Sequence, residues 1–253
     1  MKRNEYLLLL DADDTLWESA LFFERTEHDF LSLMTALGSS EEEVRRIVHR
    51  KDVERLSITG YGAKPYIDTL RMIMLDLVPE APSWALTAMD DIQKNLLGHP
   101  VILLPGVIST LENMKNLPVK TMVYTMGEND HQTDKFARSG LISYVDELRI
   151  VPRKNVNALR DVLVYADVEP RNCIIVGNSP RSDINPALSL GAVAVHVLRD
   201  RTWTAEREDF IDTGSVITIE SFNELTDILG NFLKIDISQI ENNSITSDWR
   251  HHS

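Results

Sequence analysis

The chain reads as an α/β protein with a doubly wound parallel sheet and an inserted all-helical block. Three observations predict this. Tyr6–Leu7–Leu8–Leu9–Leu10 runs without a polar break, as expected of a short strand buried on both faces. From Val101 onward, apolar runs alternate with helical periodicity, the rhythm of right-handed strand–helix–strand units. Between Trp17 and Pro100 no strand-like run appears.

The first strand meets Asp11–Ala12–Asp13–Asp14–Thr15, which turns into a helix over Ala20–Leu37 with apolar residues at near-helical spacing and Gly38 as its C-cap. Ser39 or Ser40 caps a second helix, and Glu41, Glu42 and Glu43 suit the positive end of its dipole. Gly60–Tyr61–Gly62 breaks the pattern, and Pro65 fits the first position of a third helix running to about Leu77. Pro82 and Ser83 start a fourth, ending near Gly98. Pro105–Gly106 then precedes a helix to about Asn116, followed by a strand over Val119–Thr125 and a helix closed by Gly140. A strand near Leu148–Val151, a helix over Val156–Ala166, a strand at Cys173–Gly177, a turn and helix from Asn178, and a strand at Ala192–Val197 complete the alternation. Val216–Ile219 suits an edge strand and Phe222–Leu233 a last helix; the tail from Asp236, with His251 and His252, reads as weakly ordered and solvated.

Composition narrows the function. The 253 residues carry a formal net charge of −13, which argues against nucleic acid or an anionic membrane surface as partner. No stretch approaches the roughly 20 apolar residues of a membrane span, and Leu7–Leu10 is too short for a signal-peptide core; the expected location is cytoplasmic. Cys173, the single cysteine, sits in an apolar run and reads as a buried, inert thiol.

In open α/β sheets, ligands bind beyond the carboxyl ends of the strands. Those ends carry Asp11, Asp13 and Asp14, then Thr125, then Arg153 and Lys154, then Asn178, Ser179 and Asp183. Three neighbouring carboxylates at the end of a buried strand repel one another, and burial disfavours their charge. A divalent cation would offset both. Taken singly, Thr125 could simply end a strand and Asp183 could be a first-turn helix acid; together the residues read as a site.

This pattern resembles the haloacid dehalogenase-like hydrolase superfamily. Asp11–Ala12–Asp13–Asp14–Thr15 matches its Asp-x-Asp-x-Thr motif, Thr125 its strand-ending hydroxyl, Lys154 its lysine, with Arg153 as rival, and Gly177–Asn178 with Asp183 its acidic loop. Asn178 stands where Asp is commoner, and Asp14 where many members have Gly. The resemblance implies a Rossmann-like catalytic core at 1–17 and 101–253 and a C1-type helical cap at 18–100. It implies an aspartyl-phosphate on Asp11, Asp13 as general acid/base, and phosphoryl binding by Thr125 and Lys154. Mg2+ would be held by Asp11, the Asp13 carbonyl and Asp183, with Asn178 acting through water. That acid–base role favours an Asp13 pKa raised toward neutrality, which proximity to Asp11 would promote and Mg2+ would oppose. Gly60–Tyr61–Gly62 would project over the site as part of the substrate pocket. Lys64 could meet an anion or remain solvated, Trp17 lies at the hinge as packing or pocket wall, and Trp203 is a pocket wall or buried anchor. The expected activity is hydrolysis of a small phosphorylated metabolite by a monomer or homodimer. A 2-haloacid dehalogenase, a catalytically weak phosphate-binding protein and a phospho-accepting receiver domain are the alternatives.

Overall fold

The computed structural model describes residues 5–234 except 57, 59, 202, 204 and 205; the tail from Asp236, with His251 and His252, lies outside the described residues. The elements follow in the order β1 (Leu7–Leu10), α1 (Ala20–Ala36), α2 (Glu41–Leu56), α3 (Ala63–Leu77), α4 (Ser83–Leu97), α5 (Val107–Met114), β2 (Lys120–Met126) and α6 (Asn129–Ser139). Then come β3 (Glu147–Val151), α7 (Val156–Ala166), β4 (Cys173–Gly177), α8 (Asn185–Leu190), β5 (Val193–Val197), β6 (Val216–Ile219) and α9 (Leu225–Leu233).

Six parallel strands lie in the order β3-β2-β1-β4-β5-β6. The four leucines of β1 are fully buried. Because successive strand side chains point to opposite faces, Leu8 and Leu10 pack with Val107, Leu111, Leu225 and Leu229 on one side. Leu7 and Leu9 pack with Leu159, Val162, Leu163 and Ala187 on the other. Burial of each such side chain stabilises by roughly 2 kcal/mol. The continuous apolar run is thus the middle layer of a helix–sheet–helix stack.

Helices α1–α4 have a separate core around Phe30, Met34, Ile67, Leu70 and Met89. Two antiparallel crossing segments join this block to the sheet: Glu18 N–H donates to the Ile102 carbonyl (2.9 Å) and Leu104 N–H to that of Leu16 (2.9 Å).

Some boundaries differ from the sequence reading. Gly62, at φ +140°, lets α3 begin at Ala63, so Pro65 is the third helical residue, still in the first turn where its missing N–H has no partner to lose. The turn after β4 widens at Pro180–Ile184, where Ile184 N–H reaches back five residues to the Ser179 carbonyl (3.1 Å).

Candidate active site

The Asp11 N–H continues the ladder by donating to the Val176 carbonyl (2.9 Å), which fixes Asp11 at the carboxyl edge of the sheet. Its carboxylate accepts Thr15 Oγ1 at 2.8 Å and the Lys154 ammonium. Lys154, itself buried, also donates to Asp183 Oδ1 at 2.7 Å. One lysine therefore serves two carboxylates. Burial pushes Asp11 and Asp183 above the ordinary carboxylate range, with Lys154 opposing. Arg153 instead donates to the Leu56 carbonyl at 2.6 Å, at the end of α2; of the two rivals, Lys154 is the one at Asp11.

Asp183 is fastened from behind. Its Oδ2 accepts the Ser179 N–H (3.1 Å), and a Cβ on Gly177 would overlap its carboxyl, so only glycine leaves it room. Asn178 donates its N–H to Thr15 Oγ1 (3.1 Å), which ties the fourth strand's loop to the first. Thr125 is buried and lines the same cavity.

Asp13 departs from expectation. Its Oδ1 and Oδ2 accept Lys135 Nζ at 2.6 and 2.8 Å, Gln132 Nε2 donates at 2.8 Å and Trp17 Nε1 at 2.7 Å. Burial alone would raise its pKa, but the Lys135 charge and these hydrogen bonds outweigh burial and hold it well below the usual range. The expected rise toward neutrality is corrected on this point. The influence of Asp11 is outweighed by a lysine that the sequence reading had not placed there.

Asp14 adopts φ +60°, a left-handed torsion that Asp tolerates. Its carboxylate accepts the N–H groups of Ser19 (2.8 Å) and Ala20 (2.9 Å), capping α1. Burial pushes it up to about 7. It thereby anchors the first helix of the helical block.

Above these groups lies a cavity of about 530 Å³, walled from the sheet side by Asp11, Asp13, Thr125, Lys154, Asn178 and Asp183 and from the helical block by Phe23, Asp52, Arg55, Tyr61, Gly62 and Tyr66. Gly60 does not line it; its carbonyl accepts Arg55 Nη1 at 2.8 Å. Tyr61 meets Trp203 edge-on, ring centroids 5.8 Å apart, and both border the cavity. Trp17 is fully buried packing that also supports Asp13. Lys64 pairs with Asp68 on the surface (3.1 Å), away from the cavity.

Among the described residues, no group of three His, Cys, Asp or Glu side chains is arranged to hold a metal ion. The chemistry of the donors nevertheless fits Mg2+. They are hard oxygens throughout, and Asp11 and Asp183 share the single ammonium of Lys154 between them.

No family model matches the chain. It is 25% identical over 234 residues to a glyceraldehyde 3-phosphate phosphatase from Methanocaldococcus jannaschii, covering 90% of this chain and 98% of that protein. A haloacid dehalogenase-like family hydrolase from Xanthomonas campestris superposes with a TM-score of 0.75 at 22% identity, covering 90% of this chain and 95% of that one. The chain has the haloacid dehalogenase-like fold. An L-2-haloacid dehalogenase from Xanthobacter autotrophicus shares it (TM-score 0.61, 15% identity, 90% and 98% covered).

Within this haloacid dehalogenase-like core, the sequence reading missed Lys135, Gln132 and Glu206. The first two are, with Ser139, the buried residues of α6, but that helix is polar on nearly every face in sequence, so no apolar stripe marked the buried side. Glu206 lies in an irregular segment with no signal either.

Proposed function

We propose that this protein is a phosphatase, a Mg2+-dependent hydrolase of small phosphate monoesters working through an aspartyl-phosphate on Asp11. The observation that carries the reading is the pairing of Asp11, backed by Lys154 at the cavity floor, with Asp13, a second carboxylate two residues on and held by its own donors. The named activity of the Methanocaldococcus relative supports it.

Asp11 attacks phosphorus in line with the leaving oxygen. Lys154 neutralises the attacking carboxylate and, with Thr125, binds phosphoryl oxygens where charge is greatest in the transition state. Asp13 protonates the leaving oxygen and later takes a proton from the attacking water. At rest Lys135 keeps Asp13 ionised; an arriving phosphoryl dianion raises its proton affinity by like-charge repulsion and draws Lys135 toward the phosphoryl charge. Mg2+, held by Asp11, Asp183 and the Asp13 carbonyl with Asn178 acting through water, would supply Lewis-acid stabilisation of the phosphoryl oxygens. Tyr61, Gly62 and Trp203 close the cavity and exclude water, while Gly60 steadies that loop through Arg55.

Release of inorganic phosphate from p-nitrophenyl phosphate and from a panel of phosphorylated metabolites, with Mg2+, tests the reading. Asp11→Asn should lower the rate by about 1000-fold or more. Chloride release from 2-chloropropionate that survives EDTA and Asp13→Asn would instead favour a haloacid dehalogenase.

A further inference from the structure

Glu206 is a buried acid that the mechanism above leaves unused, and parts of the chain far apart in sequence meet at it. The residue is 6% exposed although it lies in an irregular segment. Its Oε2 accepts Ser179 Oγ at 2.6 Å and the Ser182 hydroxyl. Its N–H donates to the Trp203 carbonyl at 2.9 Å, so Trp203 and Glu206 belong to one turn. Tyr61, from the loop between α2 and α3, sets its ring edge-on against Trp203. The Tyr61 phenol hydrogen-bonds the Glu206 carboxyl and is pushed above its ordinary range by burial and by that carboxyl. A buried carboxyl keeps its place only where donors reach it, and here the donors come from the core and from the helical block together.

The donors on the core side lead to the acids of the site. Ser179 holds Glu206 with its hydroxyl and Asp183 with its backbone N–H (3.1 Å). Ser182 N–H donates to Ser179 Oγ at 2.9 Å, which fixes the turn that carries Asp183. Lys154 then bridges Asp183 to Asp11. A displacement of Glu206 is therefore felt by Ser179, and through its N–H by the carboxylate which that N–H orients. At the other end, Arg55 donates to the Gly60 carbonyl and pairs with Asp52 at 2.7 Å. The Tyr61 loop is thus tied to the helical block on one side and to the Asp183 turn on the other.

We propose that Glu206 is a positioning residue that couples the Tyr61 loop to the Asp183 carboxylate, so that a closed loop and a bound Mg2+ strengthen one another. This role rests on the phosphatase reading with its Mg2+ and deepens it. A group that orients a metal-binding carboxylate from behind sets metal affinity without touching the metal. Linkage makes the effect mutual: the closed loop favours Mg2+ by the same factor as Mg2+ favours the closed loop. The cavity then closes most firmly when the centre is loaded.

The test is the Mg2+ dissociation constant of the full chain, measured by isothermal titration calorimetry with MgCl2 alone. Tyr61→Phe keeps the ring against Trp203 and removes only the hydroxyl, at a residue that is no metal ligand. It should weaken Mg2+ binding by about 5-fold. Glu206→Gln, which replaces one acceptor oxygen by an amide N–H2, should weaken it by about 10-fold. The double variant should be no weaker than Glu206→Gln alone, because the two residues act in series. A Tyr61 that served only as cavity wall would raise KM for p-nitrophenyl phosphate and leave the Mg2+ dissociation constant where it is. Unchanged Mg2+ affinity in Tyr61→Phe therefore overturns the proposal, whatever Glu206→Gln does, and leaves the phosphatase reading standing. Additive losses in the double variant also overturn it, by making the two residues independent. A wild type that binds no Mg2+ overturns it as well; if that protein also fails to hydrolyse p-nitrophenyl phosphate, the phosphatase reading falls with it.

Discussion

Asp11 and Asp13 are two residues apart, yet their surroundings drive them in opposite directions. Asp11 shares Lys154 with Asp183 and is pushed up by burial, whereas Asp13 is surrounded by donors and held down. Two neighbouring carboxyls set apart in this way suit different jobs. If Asp13 protonates the leaving oxygen, the need for it depends on how basic that oxygen is. Asp13→Asn should lower kcat/KM by about 100-fold or more for an alkyl phosphate, and much less for p-nitrophenyl phosphate, whose phenolate leaves without help. Equal losses on the two esters would argue against the assignment. Lys135→Met removes the charge that keeps Asp13 low and leaves burial unopposed, so the Asp13 pKa rises. Its protonated form then persists to higher pH, and the falling limb of kcat/KM for the alkyl ester should move upward in a pH profile; an unmoved limb contradicts the role given to Lys135. At this scale the sequence was most legible where residues end buried strands, as with Asp11, Lys154 and Asp183. It was least legible for Lys135, which comes to Asp13 across 122 positions and whose contact no local pattern encodes.

At the scale of elements, apolar runs and breakers were enough to find the strands and helices, because those are local signals. Cys173–Gly177, Val216–Ile219 and Val156–Ala166 have the expected bounds. What was not legible was how one element is tied to the next. The Asp14 carboxylate caps α1 although it lies five residues before Ser19, a geometry that exists only because the turn adopts φ +60° at Asp14. Asp14→Asn keeps an acceptor and tolerates that torsion, whereas Asp14→Ala loses the cap. The alanine variant should be less stable than the asparagine variant by about 1 kcal/mol, measured by urea denaturation with Mg2+ present. Equal stabilities would mean the two N–H groups find water at no cost.

For the whole molecule, the raised carboxyls make stability depend on pH and metal together. Asp14 titrates at about 7 in the folded protein, against an ordinary 3.8, and burial moves Asp11 and Asp183 the same way. Between those limits these carboxyls bind protons in the folded chain that they have released in the unfolded one, which stabilises as pH falls through neutrality, while burial lowers His99, His131 and His196 and opposes this below about 6.5. The metal-free protein should therefore melt at a higher temperature at pH 7 than at pH 8. Mg2+ binds the ionised form and should raise Tm more at pH 8. A Tm unmoved by Mg2+ at both pH values, in differential scanning calorimetry, would count against the metal assignment. Among the described residues no helix is long and apolar enough to cross a membrane. The strand order has a further consequence, for the birth of the protein. β1 is made before both of its neighbours, β2 and β4, the latter ending at Gly177. Helices α1–α4 can bury their own core while that strand waits with no edge to pair against. A nascent or prematurely terminated chain short of β4 thus leaves β1 at the edge of β3-β2-β1, without the Val176 carbonyl that receives the Asp11 N–H. The centre is complete only once β4 and the turn that carries Asp183 have both been made.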